Sequence, residues 1–315
     1  MTAEITATAL GTLDLSRASL ALGGNVFGWT AGRDASYAIL DAFVGGGGVM
    51  IDTADVYSAW AEGNRGGESE TVIGEWLASR GRRDGVVVAT KVSQHPEYPG
   101  LSAENIAAAA RASLARLQTD RIDLYYAHFD DAGTPLEETA AEFSRLVDQG
   151  LVREIGISNY SADRIDEWFA IAEREGLHRP VALQPHYNLM ERGFEGELRA
   201  AAERHGLGVL PYWALAKGFL TGKYRDGATV DSQRAAQAGE YLDDRGRRVL
   251  AALDAAAEAN DVPVAAVALA WLRDQPTVAA PIASARTLEQ LEPLLAAMTL
   301  ELTADEIAAL SEASA

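Results

Sequence analysis

The sequence predicts an α/β fold of one kind, a single (β/α)8 TIM barrel with a β-hairpin ahead of it. Three observations point there. Eight short β-rich runs alternate with eight amphipathic stretches along most of the chain. Several of the runs are almost continuously apolar, as parallel strands buried on both faces are. Polar residues then close successive runs: Asp52, Lys91, His128, Ser158, Gln184 and Tyr212. Such ends share one mouth only where the strands circle a common axis; an open sheet spreads them along a crevice.

The elements follow in order. Residues 6–9 and 13–16 flank a Gly11 turn and are expected to form a hairpin closing the barrel floor. Strands are expected at 20–23, 49–52, 86–91, 122–128, 154–158, 181–184, 208–212 and 278–282. Helices are expected at 34–44, 69–79, 103–117, 136–149, 162–175, 195–205, 243–259 and 288–296. Ser102 and Thr287 are N-cap residues by type and place. Gly45, Gly81, Gly150, Gly176 and Gly206 follow helices closely, where a left-handed C-terminal cap is usual. The glycine run 45–48 precedes a strand and lacks a Gly-Lys-Ser/Thr ending, so it reads as a turn rather than a phosphate loop. Segments 58–68, 94–100 and 218–241 are long for plain connectors and are expected to shape a pocket, with Trp29, Trp60 and Trp213 as candidate walls. Neither a linker nor a shift in composition divides residues 1–315, which are read as one domain.

Composition narrows the function. With 27 basic against 46 acidic residues the net charge is −19, and no basic run offers a nucleic acid its phosphate contacts. The absence of cysteine excludes disulfides, thiolate metal sites and a cysteine nucleophile, and fits a reducing compartment. Residues 1–16 carry no export signal, and no apolar run approaches 18 residues, so a cytoplasmic protein off the membrane is expected. A metal-dependent hydrolase could draw on Asp52, Asp55, His128, Asp130 and Asp131. It would want paired imidazoles, yet none of the five histidines stands at i, i+2 or i, i+4 from another, so no metal site is expected.

The local motifs are more specific. Ile51-Asp52-Thr53-Ala54-Asp55-Val56-Tyr57, Val88-Ala89-Thr90-Lys91 and Asp123-Leu124-Tyr125-Tyr126-Ala127-His128 stand in order, followed by Gly156-Ile157-Ser158-Asn159-Tyr160 and Gln184-Pro185-His186-Tyr187-Asn188. Pro211-Tyr212 and Gly218-Phe219-Leu220-Thr221-Gly222-Lys223-Tyr224 complete the series. Together these resemble the aldo-keto reductase family from about Leu20 to the C-terminus. The resemblance implies hydride transfer between NADPH (NADP+) and a small-molecule carbonyl, with Asp52, Tyr57, Lys91 and His128 as the catalytic group. The residue types suit that chemistry. A free phenol titrates near 10, and a cation such as Lys91 beside Tyr57 favours phenolate. Asp52 would pair with Lys91, and His128 would polarise the same carbonyl oxygen.

The resemblance also implies cofactor contacts. Ser158, Asn159 and Gln184 match residues that hold the nicotinamide carboxamide, and Tyr212 one that stacks on its ring. Gly24 and Asn25, after the first strand, are further cofactor-binding candidates, and Leu215, Lys217 and Gly218 lie at the pyrophosphate. Ser284, Arg286 and Gln290 fall at the adenosine end, where Arg286 suits a 2′-phosphate and favours NADPH over NADH. The chain departs from the pattern at Leu294, where many relatives place an asparagine toward adenine, and at Pro293 beside it. An alternative role is that of relatives such as potassium-channel β-subunits, which bind NADPH and act as partners or redox sensors. His186 and Asn188 are read as structural. Substrate identity and oligomeric state are not legible.

Overall fold

The computed structural model describes residues 9–15, 18–81, 83, 85–228, 230 and 233–315. A parallel sheet of β3 (Ala21–Gly23), β4 (Met50–Asp52), β5 (Val87–Val92), β8 (Ile122–Ala127), β9 (Val152–Ser158), β10 (Pro180–Gln184), β11 (Gly208–Val209) and β12 (Ile282–Ala283) runs in the order β11-β10-β9-β8-β5-β4-β3-β12. The two edges meet. Val209 bridges Val278 in parallel, donating to the Thr277 carbonyl and accepting from Ala279 at 2.8 Å each, and Ile282 donates to the Pro211 carbonyl at 2.9 Å. The sheet is thereby a barrel. The eighth strand is shorter and later than expected, because Pro281 within 278–282 has no N–H to give a ladder.

Side-chain alternation along the strands separates two cores. Ala21, Met50, Ala89, Leu124, Tyr126, Ala182 and Leu210 fill the barrel interior, while Leu22, Ile51, Val88, Tyr125, Ile157 and Leu183 pack outward against the helices. The interior is capped from below by the antiparallel hairpin β1 (Ala9–Leu10) and β2 (Leu13–Asp14), whose Leu10, Leu13 and Leu15 join the inner cluster. A Cβ on Gly208 would collide with the Leu10 side chain, so that close approach needs glycine. Residues 6–8 and 16 of the expected hairpin lie outside the described residues.

The surrounding helices are α1 (Arg33–Gly45), α2 (Glu68–Ser79), α3 (Ala103–Leu117), α4 (Leu136–Asp148), α5 (Ala162–Glu175), α6 (Glu197–His205), α7 (Ala235–Gly239), α8 (Asp244–Asn260), α9 (Val264–Arg273), α10 (Leu288–Ala297) and α11 (Ala304–Ala313). Ser102 and Thr287 do cap α3 and α10, accepting from the backbone N–H of Asn105 and Gln290. Gly81, Gly150, Gly176 and Gly206 take positive φ after their helices. Gly45 does not: it stays in the last turn of α1, and Gly47 at φ 95° makes the turn instead. Pro293 sits inside α10 and removes the bond its N–H would give the Glu289 carbonyl. Segment 94–100, read from sequence as a long connector, contains a small antiparallel pair, β6 (Gln94–His95) and β7 (Tyr98–Pro99). No single helix among the described residues is long and apolar enough to cross a membrane.

Candidate active site

The C-terminal ends of β4 and β5 place Asp52 and Lys91 side by side, since Asp52 pairs with Ala89 and Lys91 lies two residues further on the same face. Tyr57 arrives from the loop five residues past Asp52. Lys91 Nζ donates to Asp52 Oδ2 at 2.7 Å, to the Thr53 carbonyl at 2.7 Å and to Tyr57 Oη at 3.0 Å. An ammonium has three donors, so this one is saturated. Asp52 Oδ1 accepts from Gln184 Nε2 at 2.9 Å, and Ser158 Oγ donates to the Gln184 carbonyl at 2.9 Å. Asp52, Lys91, Gln184 and Ser158 are buried, whereas Tyr57 and His128 are open in part.

The protonation states follow from burial and neighbours. Burial alone would lower the Lys91 ammonium, but Asp52 and Tyr57 outweigh it and its pKa is raised. Burial pushes the Tyr57 phenol up, with Lys91 opposing and Asp52 assisting, and the net direction is upward. The expectation that Lys91 brings Tyr57 toward phenolate therefore holds for that one interaction and is reversed in sum, because desolvation is larger. Tyr57 stays a neutral phenol. Its oxygen receives the Lys91 proton, while its own O–H has only a 3.5 Å contact to Asp52, at the limit of a hydrogen bond. That proton is free to point into the cleft. Burial first, and Lys91 second, hold the His128 imidazole well below its ordinary range, so it is neutral at pH 7 and offers one N–H. The Tyr57 and His128 ring centroids are 6.3 Å apart.

From these residues a cleft of about 1010 Å³ runs past Tyr212 and Leu215 to Arg286 and Leu294. Of the residues named from sequence, Asn25, Ser158, Asn159, Gln184, Tyr212, Leu215, Lys217, Gly218, Ser284, Arg286 and Gln290 line it. Gly24 does not. Its N–H donates to the Asp52 carbonyl and its own carbonyl accepts from Ser69 Oγ, each at 2.7 Å, and it is Gly23 that faces the cleft. Tyr212 is held flat, with His186 stacked 5.3 Å away at 13° and its hydroxyl on Asn159 Oδ1 at 2.8 Å. Asn159 in turn donates to the His128 carbonyl at 2.9 Å, from a left-handed backbone at φ 59°. His186 thus acts by supporting Tyr212. Asn188, fully buried, ties the Trp213 carbonyl to the turn at Met190.

Trp213, Ala216 and Lys217 all have positive φ, a strained conformation costing about 1–3 kcal/mol each outside glycine. Strain of that size persists where the surroundings fix it, and here it shapes the wall of the cleft. The sequence reading missed Lys223 and Arg234, which line the same wall. Arg234 lies over the Trp213 ring at 4.4 Å, and burial followed by Arg286 lowers its pKa. Only the fold shows what these cations share: Lys217, Lys223, Arg234 and Arg286 gather in one cleft of a chain whose net charge is −19. Such a gathering marks an anion site.

Comparison with known proteins agrees with this geometry. Residues 19–315 match the model described as the Aldo/keto reductase family. The chain belongs to that family. Norsolorinic acid reductase stcV of Emericella nidulans is 33% identical over 305 residues, covering 91% of this aldo/keto reductase and 76% of the relative. Protein tas of Escherichia coli is 31% identical over 323 residues, with 93% of each chain covered. A probable voltage-gated potassium channel subunit beta of Arabidopsis thaliana is 33% identical over 254 residues, covering 77% of this chain and 75% of that one. The chain is accordingly a carbonyl oxidoreductase of a family that uses NAD(P)H.

A dinucleotide fits what the reductase presents. One flat, partnered tyrosine face and amide groups stand at the Tyr57 end, and cations line the other parts of a single long cleft. Among the described residues no group of three or more His, Asp or Glu gathers to hold a metal ion.

Proposed function

We propose that this aldo/keto reductase reduces an aldehyde or ketone with NADPH, reversibly, with Tyr57 as proton donor. The observation that carries the reading is the triad of Lys91 Nζ, Asp52 Oδ2 and Tyr57 Oη, at 2.7 and 3.0 Å, at the base of the cleft. Bound NADPH supplies the hydride. The chain's own residues manage the proton and the geometry. A carbonyl oxygen accepting from the free Tyr57 O–H gains a proton as negative charge develops on it. Lys91 stabilises the phenolate left behind, and Asp52 holds Lys91 in place. Neutral His128 donates a second hydrogen bond to the same oxygen. In alcohol oxidation Tyr57 takes the proton back.

Tyr212 and the amides of Asn159 and Gln184 suit a nicotinamide ring and carboxamide, and fixing the ring's face is what hydride transfer needs. Lys217 and Gly218, joined by Lys223 and Arg234, suit the pyrophosphate. Arg286 suits the 2′-phosphate, with Gln290 accepting from its backbone N–H and Ser284 donating to Asn25, and Leu294 offers adenine an apolar contact only. Tyr57→Phe keeps shape and removes the proton. We expect turnover, followed as loss of reduced-cofactor absorbance, to fall about 10²- to 10⁴-fold with NADPH affinity unchanged. Lost affinity with normal turnover per bound cofactor would remove Tyr57 from that role.

The likeness to a channel subunit favours a second reading, an NADPH-binding regulatory protein. Tight cofactor binding without turnover on any carbonyl would select it.

A further inference from the structure

Tyr126 stands in β8 two residues before His128, on the same face and one layer deeper in the barrel. It pairs with Lys91 in β5 and with Gly156 in β9. A Cβ on Gly156 would collide with the Tyr126 ring, so glycine is what leaves room for it. The ring is fully buried in the inner core, and Lys91 Nζ lies 5.9 Å from its centroid. Its hydroxyl makes no hydrogen bond of good geometry with another described residue. The groups around that oxygen are nonetheless polar. Burial first, then the Asp52 charge, push the phenol well above its ordinary range, with the Gln184 side chain opposing and Tyr57 adding to the rise. Tyr126 keeps its proton.

A buried hydroxyl without a partner destabilises a fold, and phenylalanine would fill the same space without that penalty. Packing alone does not account for the oxygen, but the network beside it does. The Lys91 donors are all taken, by Asp52, the Thr53 carbonyl and Tyr57. Asp52 is 1% exposed, so solvent cannot stand in when its partners move. When Tyr57 gives its proton to the carbonyl oxygen, the phenolate draws Lys91 toward itself and loosens its hold on Asp52. We propose that Tyr126 is a positioning residue for this step, its O–H turning to donate to the Asp52 carboxylate as Lys91 turns to the Tyr57 phenolate. The proposal rests on the reductase reading above. The balance of that reaction is unchanged: hydride goes to carbon, the Tyr57 proton to oxygen, and Tyr126 retains its own. Rotation about one C–O bond is the motion required, since the ring itself is fixed by Gly156 and the inner core. A hydrogen bond absent at rest and made as charge moves stabilises the transition state alone, so it raises kcat and leaves binding untouched.

Tyr126→Phe tests this, because it removes the oxygen and leaves the ring, its packing and its face toward Lys91. Stopped-flow single turnovers with NADPH and butanal, benzaldehyde or methylglyoxal read the hydride-transfer rate apart from product release. We expect that rate to fall about tenfold, as loss of a hydrogen bond to a charged group would, with NADPH affinity and aldehyde KM changed by less than about twofold. The urea midpoint should stay level or rise, because an unpartnered hydroxyl has been removed. In an Asp52→Asn background, where a neutral amide replaces the carboxylate, adding Tyr126→Phe should slow the step by less than about twofold. An unchanged rate, a fall in stability, a loss carried by NADPH affinity or KM, or a loss as large in the Asp52→Asn background overturns the proposal. A wild type that binds NADPH but oxidises it with none of these aldehydes overturns the reductase reading itself, and this proposal with it.

Discussion

Asp52→Asn keeps the side chain's shape and removes the carboxylate that pairs with Lys91 at 2.7 Å. Lys91 is 0% exposed, so no water replaces the lost partner, and only the Thr53 carbonyl, Tyr57 Oη and a neutral amide remain near its ammonium. Removing one member of a buried pair costs about 3–5 kcal/mol. A ceiling exists, because the lysine can shed its proton. That costs roughly 1.4 kcal/mol per pH unit below its ordinary value, or roughly 5 kcal/mol at pH 7. The sign of the pH dependence follows. In the wild type Asp52 and Tyr57 lift Lys91 against burial. In the variant burial prevails, the folded value drops below the unfolded one, and stability is lost as pH falls. The deficit is therefore about 3–5 kcal/mol at pH 7 and smaller at pH 9, by as much as roughly 1.4 kcal/mol per unit. Urea denaturation followed by tryptophan fluorescence at both pH values measures it. Adding Lys91→Met to Asp52→Asn removes the stranded charge and should recover much of the loss without recovering turnover. A deficit under about 1 kcal/mol at pH 7, or one equal at pH 7 and 9, would refute the reasoning.

Two further outcomes are expected alongside those for Tyr57 and Tyr126. Arg286→Ala should weaken NADPH about 10- to 100-fold and NADH far less, as loss of charge-assisted hydrogen bonds would; fluorescence titration reads it, and equal losses would take Arg286 off the 2′-phosphate. Asp55 is fully buried without a side-chain partner for either oxygen, and burial, then Glu70, push its pKa well above the ordinary carboxyl range. A raised acid binds its proton more tightly when folded, so its stabilising effect is present at low pH and lost as pH climbs from about 4 toward the raised value. Asp55→Asn abolishes that loss. Its stability relative to wild type should improve by roughly 1.4 kcal/mol per pH unit across that window; a constant difference between pH 4.5 and 6.5 would show Asp55 to be ionised.

Some of the fold was written locally. α3 and α5 match their expected bounds because Ser102 and Ser161 accept the orphan N–H groups and Gly176 ends α5 at φ 67°. α11 carried the same kind of mark, Thr303 with Glu306 in a reciprocal cap, which the sequence reading passed over. α9 carried none. Ala265 through Leu272 are all buried, so no 3.6-residue period separates a wet face from a dry one. Of the site, the short motifs named the catalytic residues and segment 218–241 was expected at a pocket, yet Lys223 and Arg234 were not named as site residues, because which residues of that segment face the cleft is set by tertiary packing.

The sequence by itself determined the βα alternation, the chain's acidity, the residue types at the strand ends and the family they resemble. Those are local facts, set by side-chain period, capping chemistry and charge. The tertiary structure decided what depends on distance and solvent. Strand register brought Lys91 within 3.0 Å of Tyr57, 34 residues away in the chain, and turned Gly23 rather than Gly24 toward the cleft. Burial, which no linear pattern measures, kept Tyr57 a phenol against the pull of Lys91 and, acting together with Lys91, kept His128 a neutral imidazole, because a charge is costly to remove from water.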